Sequence, residues 1–197
     1  MSIDGDTLGG RLPLYSSEAL DSAQKALHDW LMDVAVPWAE TADFEASTEM
    51  GRLIGPFNPA LLTPGISSAF FDLAVAEQKH TSLSKRSREV IILTVGAVWQ
   101  APYELYAHCA VARYVGHSDD AVRTLAEGGL PQNLTAEEAV THRVARALSV
   151  EHRLSEALYR EAEATLGAEG VMEAVVLTGI YHTVCAILNA FEIPAPS

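Results

Sequence analysis

Glu104 and His108 are the two residues whose types and spacing in this sequence point most directly to chemistry. On an α-helix, side chains four positions apart lie on the same face, with about 6 Å between their Cβ atoms. A carboxylate beside an imidazole favours the protonated form of the ring near neutral pH. His108 is therefore a candidate proton donor, although pairs with this spacing also occur on solvated surfaces without any function.

The residues around this pair predict a helix that is mostly buried. Pro102 suits the first helical position, because its missing N–H would have no partner there, and Glu104 then falls in the first turn. The positive end of the helix dipole should favour the carboxylate form of Glu104. The positions that follow are small or apolar, namely Ala107, Cys109, Ala110, Val111 and Ala112. A charged pair in such a helix needs polar partners or a cavity.

The composition excludes several classes of function. The chain has 197 residues, is 49% hydrophobic and can bury the core of one domain. Its net charge is −13, and its basic residues form no run longer than the cluster at 85–88, so we expect no nucleic-acid binding. Cys109 and Cys185 lack the spacing of a disulfide framework or a zinc site. The first 15 residues do not resemble a signal peptide, and we expect a cytoplasmic protein.

The hydrophobic periodicity predicts an all-α protein. Residues 1–15 contain Gly5, Gly9, Gly10 and Pro13 and are interpreted as a loosely held N-terminal arm. Helical spacing then recurs in the segments 17–36, 66–80, 85–99, 102–115, 119–127, 136–148, 156–166 and 171–191. The predicted N-caps are Ser16 or Ser17 for the first of these, then Ser84, Ser118, Thr135 with Glu138 in a capping box, and Ser155. No alternating strand segment and no convincing repeat is present.

Three local features carry further predictions. Pro37 should end or bend the first helix. Arg86 and Arg88 stand at a helix start, where they oppose the dipole, so we expect carboxylates or an anion beside them. The apolar stretch 174–191 reaches transmembrane length but contains His182 and Asn189, and we interpret it as a buried core helix. Because that helix is apolar on nearly every side, it must be central or shared with another subunit.

Three segments of the chain resemble the carboxymuconolactone decarboxylase family, which includes the alkylhydroperoxidase D-like proteins. They are LSKRSREVIILTVGAVWQAPYELYAHCAVARYVGHSDDAVRTLAEGG, the NPALL segment at 58–62 and the ending YHTVCAILNAFEIPAP. The resemblance implies one helical domain over residues 16–197. It also implies a homo-oligomer, trimeric or hexameric, that acts on a small molecule without a metal or an organic cofactor and without binding a membrane.

The sequence departs from the peroxidase branch of that family at the thiols. That branch carries a CxxC pair, then three residues, then a histidine, with a glutamate about twelve positions upstream. His108 matches the histidine and Glu89 the glutamate, but Ala101 and Glu104 stand at the two cysteine positions. A peroxidase of this kind needs a nucleophilic thiolate and a resolving thiol. We therefore expect no thiol peroxidase activity, and we interpret Cys109 as a packed residue.

Without the two thiols, the sequence resembles the decarboxylase branch of the family, whose reaction is the loss of carbon dioxide from a carboxylated unsaturated lactone. His108 would donate a proton, Glu104 would orient and charge the imidazole, and Glu89 would complete a relay if its helix packs antiparallel. Glu89 could equally form a salt bridge with Lys85 or Arg86. The candidate substrate-binding residues are Trp99, Tyr103, Tyr181 and His182, each of which is also plausible as a core residue. A related isomerase or cyclase of secondary metabolism, or a catalytically silent ligand-binding oligomer, stays open.

Overall fold

The computed structural model describes residues 7–197, and this part of the chain is all-α. Its helices are α1 (Ser22–Thr41), α2 (Phe57–Ala60), α3 (Pro64–His80), α4 (Lys85–Trp99), α5 (Pro102–Tyr114), α6 (Asp119–Ala126), α7 (Ala136–Val150) and α8 (Glu156–Ala190). Two 3₁₀ turns, Thr7–Gly9 and Ser17–Ala19, precede α1. Pairing of the β type is limited, within the described residues, to one isolated bridge between Ser47 and Leu53. The predicted fold class is confirmed.

Four helices begin where the sequence predicts. The side chains of the N-cap residues accept backbone N–H bonds at the starts of α4, α6, α7 and α8, and these residues are Ser84, Ser118, Thr135 and Ser155. At α7 the bonding is reciprocal, because Glu138 also accepts from the backbone N–H of Thr135 at 2.9 Å. These starts were predictable because a cap depends only on residues three positions apart.

The predicted start of α1 was wrong, and of the two effects predicted for Pro37 the structure excludes the helix end. Asp21, rather than Ser16 or Ser17, caps the helix, and its carboxylate accepts from the backbone of Gln24 at 2.9 Å. Pro37 does not end the helix, which continues to Thr41. A proline removes one hydrogen bond from a helix interior, but the last turns of α1 are held by packing, and Ala39 is 1% exposed.

Helix α4 lies at the centre of the molecule. It contacts α5, α6, α7 and α8, and all six of its residues from Val90 to Val95 are buried. Gly96 follows, and a Cβ at this position would lie 3.1 Å from Leu105 and 3.2 Å from Glu104, both in α5. The absence of a side chain at Gly96 therefore lets α5 approach α4 closely.

Helix α8 contains a break at Gly167, where φ is 73° and ψ is 166°. The sequence predicted two helices separated at this glycine, and the break agrees with that prediction. The part after the break packs against α4 and α7 and buries Ala174, Leu177, Thr178, Ile180, Cys185 and Leu188. By length and composition alone α8 is also apolar enough to span a membrane, a test that the core helix of a globular domain passes equally well.

The described part of the N-terminal arm is held at specific points, while residues 1–6 lie outside the described residues. The backbone N–H of Arg11 donates to the carbonyl of Phe191 at 2.8 Å, and that of Tyr15 donates to Asn58 Oδ1 at 3.2 Å. Gly10 has a φ of 59°, and a Cβ there would lie 2.2 Å from the carbonyl oxygen of Phe191. The arm from residue 7 onward is thus fastened to the end of α8 and to α2, more firmly than its glycines suggested.

The loop before α2 packs onto the helix that carries His108. Gly55 has a φ of 62°, and a Cβ there would lie 2.3 Å from the ring of Tyr103 in α5. The Tyr103 hydroxyl donates to the carbonyl of Glu45 at 2.6 Å, which fixes the ring in place. This contact joins the region between α1 and α2 to α5.

We expect Gly55→Ala to destabilise the protein more than Gly51→Ala, which is the matched control. Both glycines have positive φ, so both variants pay the backbone cost of about 1 kcal/mol. Only the Cβ at position 55 meets an aromatic ring, since the atom nearest to a Cβ at position 51 is 4.0 Å away. Overpacking should add about 1–3 kcal/mol. Urea denaturation of both variants measures the difference, and equal losses would contradict the close contact with Tyr103.

Candidate active site

Glu89, Glu104 and His108 meet in the interior between α4 and α5. His108 Nδ1 lies 2.8 Å from Glu89 Oε2, and His108 Nε2 lies 3.5 Å from Glu104 Oε1. The exposed fraction is 6% for Glu89, 2% for Glu104 and 5% for His108. The imidazole therefore stands between two carboxylates, away from bulk solvent.

The sequence left two partners open for Glu89, and in the structure it contacts His108. Arg86 pairs with Glu138 at 2.6 Å, and Arg88 forms two hydrogen bonds with the buried carboxylate of Glu77. The prediction that carboxylates hold both arginines is confirmed. Because these partners occupy the arginines, the carboxylate of Glu89 is bound by the imidazole rather than by Arg86.

The neighbours of His108 favour its charged form. Burial alone would lower its pKa, but the charges of Glu89 and Glu104, together with the hydrogen bond to Glu89, outweigh burial and raise it. The closer bond comes from Glu89. The structure thus gives Glu89 the orienting and charging contact that the sequence assigned to Glu104.

The pKa of Glu104 is shifted in the opposite direction to the one expected from its place in the first helical turn. Burial raises the pKa of its carboxyl to about 7; the nearby His108 charge opposes this shift and the Glu89 charge adds to it. The prediction that the helix dipole keeps Glu104 ionised is therefore wrong, because the loss of hydration outweighs the dipole. Within the described residues its Oε1 atom has no hydrogen-bond partner, since 3.5 Å to His108 Nε2 is an ion-pair distance only.

Two aromatic rings border the imidazole. Tyr181 of α8 meets it edge to face, with ring centroids 5.1 Å apart, and Trp38 of α1 lies 6.1 Å away at an angle of 49°. Burial raises the pKa of the Tyr181 hydroxyl, so it stays a proton donor. Tyr181 was among the predicted residues. Trp38 was not, because the sequence placed it beyond the end of its helix.

The other predicted binding residues contact different partners. Trp99 and His182 face each other with ring centroids 5.9 Å apart, and His182 Nε2 lies 2.7 Å from Ser149 Oγ. The hydroxyl of Tyr103 is bonded to the backbone of Glu45. Of the four candidates, Tyr181 is the one whose ring packs directly against His108.

Both cysteines pack among apolar side chains. Cys109 is half-buried against Val90, Leu93 and other members of a small apolar cluster, which agrees with its interpretation as a packed residue. Cys185 is fully buried in the main core. Burial raises the pKa of both thiols, which keeps them in the unreactive protonated form.

Two surface depressions accompany the fold. One, of about 380 Å³, lies between α1 and α3 and is lined by Trp30, Pro64, Ser68, Asp72 and their neighbours. The other, of about 330 Å³, is lined by Glu40, Asp43, Phe44, Glu45 and Tyr106. His108 lines neither of them, although Phe44 contacts both Trp38 and Tyr106. In residues 7–197 no group of three or more His, Cys, Asp or Glu side chains is placed to hold a metal ion.

No protein-family model and no curated protein matches this sequence, but solved structures do. An alkylhydroperoxidase AhpD core protein from Ralstonia eutropha JMP134, described as an uncharacterized peroxidase-related protein, is 17% identical; the match covers 95% of this chain and 92% of that one, with a TM-score of 0.73. A peroxidase-related protein from Silicibacter sp. TM1040 is 15% identical over 96% and 93%, with a TM-score of 0.72. A variant of the debrominase Bmp8 in complex with 2,3,4-tribromopyrrole is 15% identical over 95% and 91%, with a TM-score of 0.72.

These likenesses establish the architecture. The chain has the alkylhydroperoxidase D-like fold, as the sequence resemblance implied. At 15–17% identity they show the fold alone, and one fold supports many reactions. The reaction therefore has to be argued from the residues around His108.

We expect Glu104→Gln to stabilise the protein at pH 8 and to have little effect at pH 5. The folded-state pKa of Glu104 is raised, so its favourable contribution is complete below the unfolded value near 4.5 and is lost as the pH rises towards 7. At pH 8 the buried, ionised carboxylate should cost about 1–3 kcal/mol, which the neutral amide avoids. Thermal unfolding at both pH values measures the change, with the exposed Glu169→Gln as control. A stability difference independent of pH would contradict the raised pKa.

Proposed function

We propose that this protein is an acid–base enzyme that returns a proton to carbon in a small ring compound, acting as a decarboxylase-like lyase on a carboxylated unsaturated lactone. The observation that supports this best is the buried imidazole of His108, bonded to Glu89 and facing an unpartnered Glu104 oxygen. Perturbed acids and bases in a water-poor environment are typical of catalytic sites. The resemblance of the sequence to the decarboxylase branch supports the proposal further.

The reaction needs charge stabilisation and one proton. The bond between the ring and its carboxylate breaks, carbon dioxide leaves, and the electron pair moves into the conjugated carbonyl as a dienolate. The positive charge of His108 would stabilise this anion, since its pKa is raised by Glu89 and Glu104. The proton would then pass to carbon from the His108–Glu104 pair, and solvent would replace it.

The three side chains divide this work. Glu89 would hold Nδ1 of His108, which leaves the Nε2 side of the ring directed towards Glu104 and the substrate. Glu104, whose pKa is about 7, would carry a proton for roughly half of the time at neutral pH. Tyr181 would border the ring that binds beside the imidazole. None of these roles requires a thiol, a metal or an organic cofactor.

The assay is release of carbon dioxide from 4-carboxymuconolactone by the purified protein. We expect His108→Asn to lower kcat by a factor of about 10²–10⁴, the usual contribution of general acid–base catalysis. We expect the activity of the wild type to decline as the pH rises through 7, and Glu104→Gln should remove this decline. His80→Asn, which changes an exposed histidine, is the matched control. Unchanged turnover in His108→Asn would exclude the assignment.

A related isomerase or cyclase would use the same proton transfer without losing carbon dioxide. The two acidic side chains that already border the imidazole favour this second candidate, because they would repel a substrate that carries a carboxylate of its own. Incorporation of deuterium from heavy water into an unsaturated lactone, without release of carbon dioxide, would select it. If a lactone binds without either change, the protein is a silent ligand-binding member.

The two cysteines should be dispensable for this activity. A Cys109→Ala, Cys185→Ala variant should keep kcat within about threefold of the wild type, because proton transfer by an imidazole and a carboxyl needs no thiolate. The same preparation should reduce no organic hydroperoxide, measured with a thiol reductant. Loss of turnover in a folded double variant, judged by its circular dichroism, would restore a thiol mechanism.

The assembly and location of the protein belong to the same proposal. We propose a cytoplasmic homo-oligomer, a trimer or a hexamer, whose partner is a small molecule rather than a nucleic acid or a membrane. Several features support this: the net charge of −13, the exposed apolar side chains of α1 and α3 such as Val34 and Leu73, and the partly buried apolar faces of α8.

A further inference from the structure

The imidazole of His108 is enclosed on several sides by groups with different freedom to move. Glu89 and Glu104 are buried and belong to the interior of α4 and α5. Tyr181 comes from the middle of α8, the long core helix. Trp38 differs from these three, because 37% of its surface is exposed to solvent. A molecule approaching the imidazole on this side meets the indole of Trp38 first.

Trp38 stands at a weak point of its helix. Pro37, directly before it, has no N–H, so the carbonyl of Asp33 lacks the hydrogen bond that a helix interior would provide. The next turn is closed by the Thr41 hydroxyl, which donates to the carbonyl of Pro37 at 2.8 Å, and by the backbone N–H of Ala42, which donates to the carbonyl of Trp38 at 3.2 Å. The indole itself rests edge to face on Phe44, with centroids 5.0 Å apart. Its described aromatic contacts are with Phe44 and His108, and part of its surface is open to solvent.

The aromatic rings continue outward from the site. Centroid distances are 6.1 Å from His108 to Trp38, 5.0 Å from Trp38 to Phe44 and 6.5 Å from Phe44 to Tyr106. The last two of these residues line the depression of about 330 Å³. This row links the buried imidazole to an open concave surface. Aromatic faces favour flat, unsaturated rings, which stack on them, over saturated rings of the same size.

We propose that Trp38 is the entrance and specificity residue of the candidate active site. Its indole covers His108 in the free protein, rotates aside to admit the substrate and then stacks on it, so that flat unsaturated rings are preferred over puckered ones. The inference rests on the proposed function in placing the substrate at His108. It adds the class of ring that the site accepts and the residue that selects it.

The covering role is tested without any substrate. Diethyl pyrocarbonate acylates the unprotonated fraction of accessible imidazoles, and peptide mapping by mass spectrometry at one fixed value, pH 8, gives the rate at each histidine in every variant. In Trp38→Ala the rate at His108 should rise at least fivefold, while the exposed His80 reacts at an unchanged rate. Trp99→Ala is the matched control, because Trp99 is also 37% exposed but faces His182. An unchanged rate at His108 in Trp38→Ala would overturn the covering role.

The stacking role is tested with two probes that differ in the shape of the ring. Benzoate is flat and cyclohexanecarboxylate is puckered, and both carry one carboxylate. By calorimetric titration, the wild type and Trp99→Leu should bind benzoate about three- to tenfold more tightly, and Trp38→Leu should lose this preference. Trp38→Leu also keeps an apolar cover, which guards against the loss of folding in Trp38→Ala. No preference in the wild type, no binding of either probe, or a preference kept in Trp38→Leu would overturn the stacking role.

These results are separable from the decarboxylase assay. If 4-carboxymuconolactone releases no carbon dioxide while Trp38→Ala exposes His108 and the benzoate preference holds, the proposed reaction is wrong but the proposed role of Trp38 is supported. If carbon dioxide is released but neither effect of Trp38 is observed, the proposed reaction is supported and the proposed role of Trp38 is wrong.

Discussion

The hydrogen bond between Glu89 and His108 is the contact on which the arrangement of the site depends. Both groups are buried, so each has lost its hydration and is stable only while the other remains in place. The bond joins α4 to α5, and Gly96 lets the two helices come close enough to form it. Arg86 and Arg88 are bound by Glu138 and Glu77, which leaves the carboxylate of Glu89 to the imidazole.

Because of Glu104, the site contains two carboxyl groups but only one imidazole. One imidazole cannot neutralise two carboxylates in a dry interior, so one of the acids must titrate near neutral pH, and this is Glu104. In the peroxidase branch that the sequence resembles, a thiol stands where this chain has Glu104. A thiolate attacks a substrate, whereas a carboxyl with a pKa of about 7 can give and take a proton.

The wall around the imidazole comes from parts of the chain that are distant in sequence. Tyr181 lies on the long core helix, and Trp38 lies on the first helix, directly after a proline. Tyr181 belongs to α8, which packs on α4 and α7. Trp38 lies beside a missing backbone hydrogen bond.

The sequence by itself determined what depends on neighbouring residues: the caps Ser84, Ser118, Thr135 and Ser155, the pairing of Glu104 with His108, and the lack of thiols at positions 101 and 104. Tertiary structure alone decided which partner Glu89 takes, whether Trp99 and His182 or Trp38 would border the imidazole, and the pKa of Glu104. The physical reason is how far apart along the chain the interacting residues lie. A cap or an i,i+4 pair is set within one helical turn, whereas burial and its cost to a charge depend on how distant helices pack.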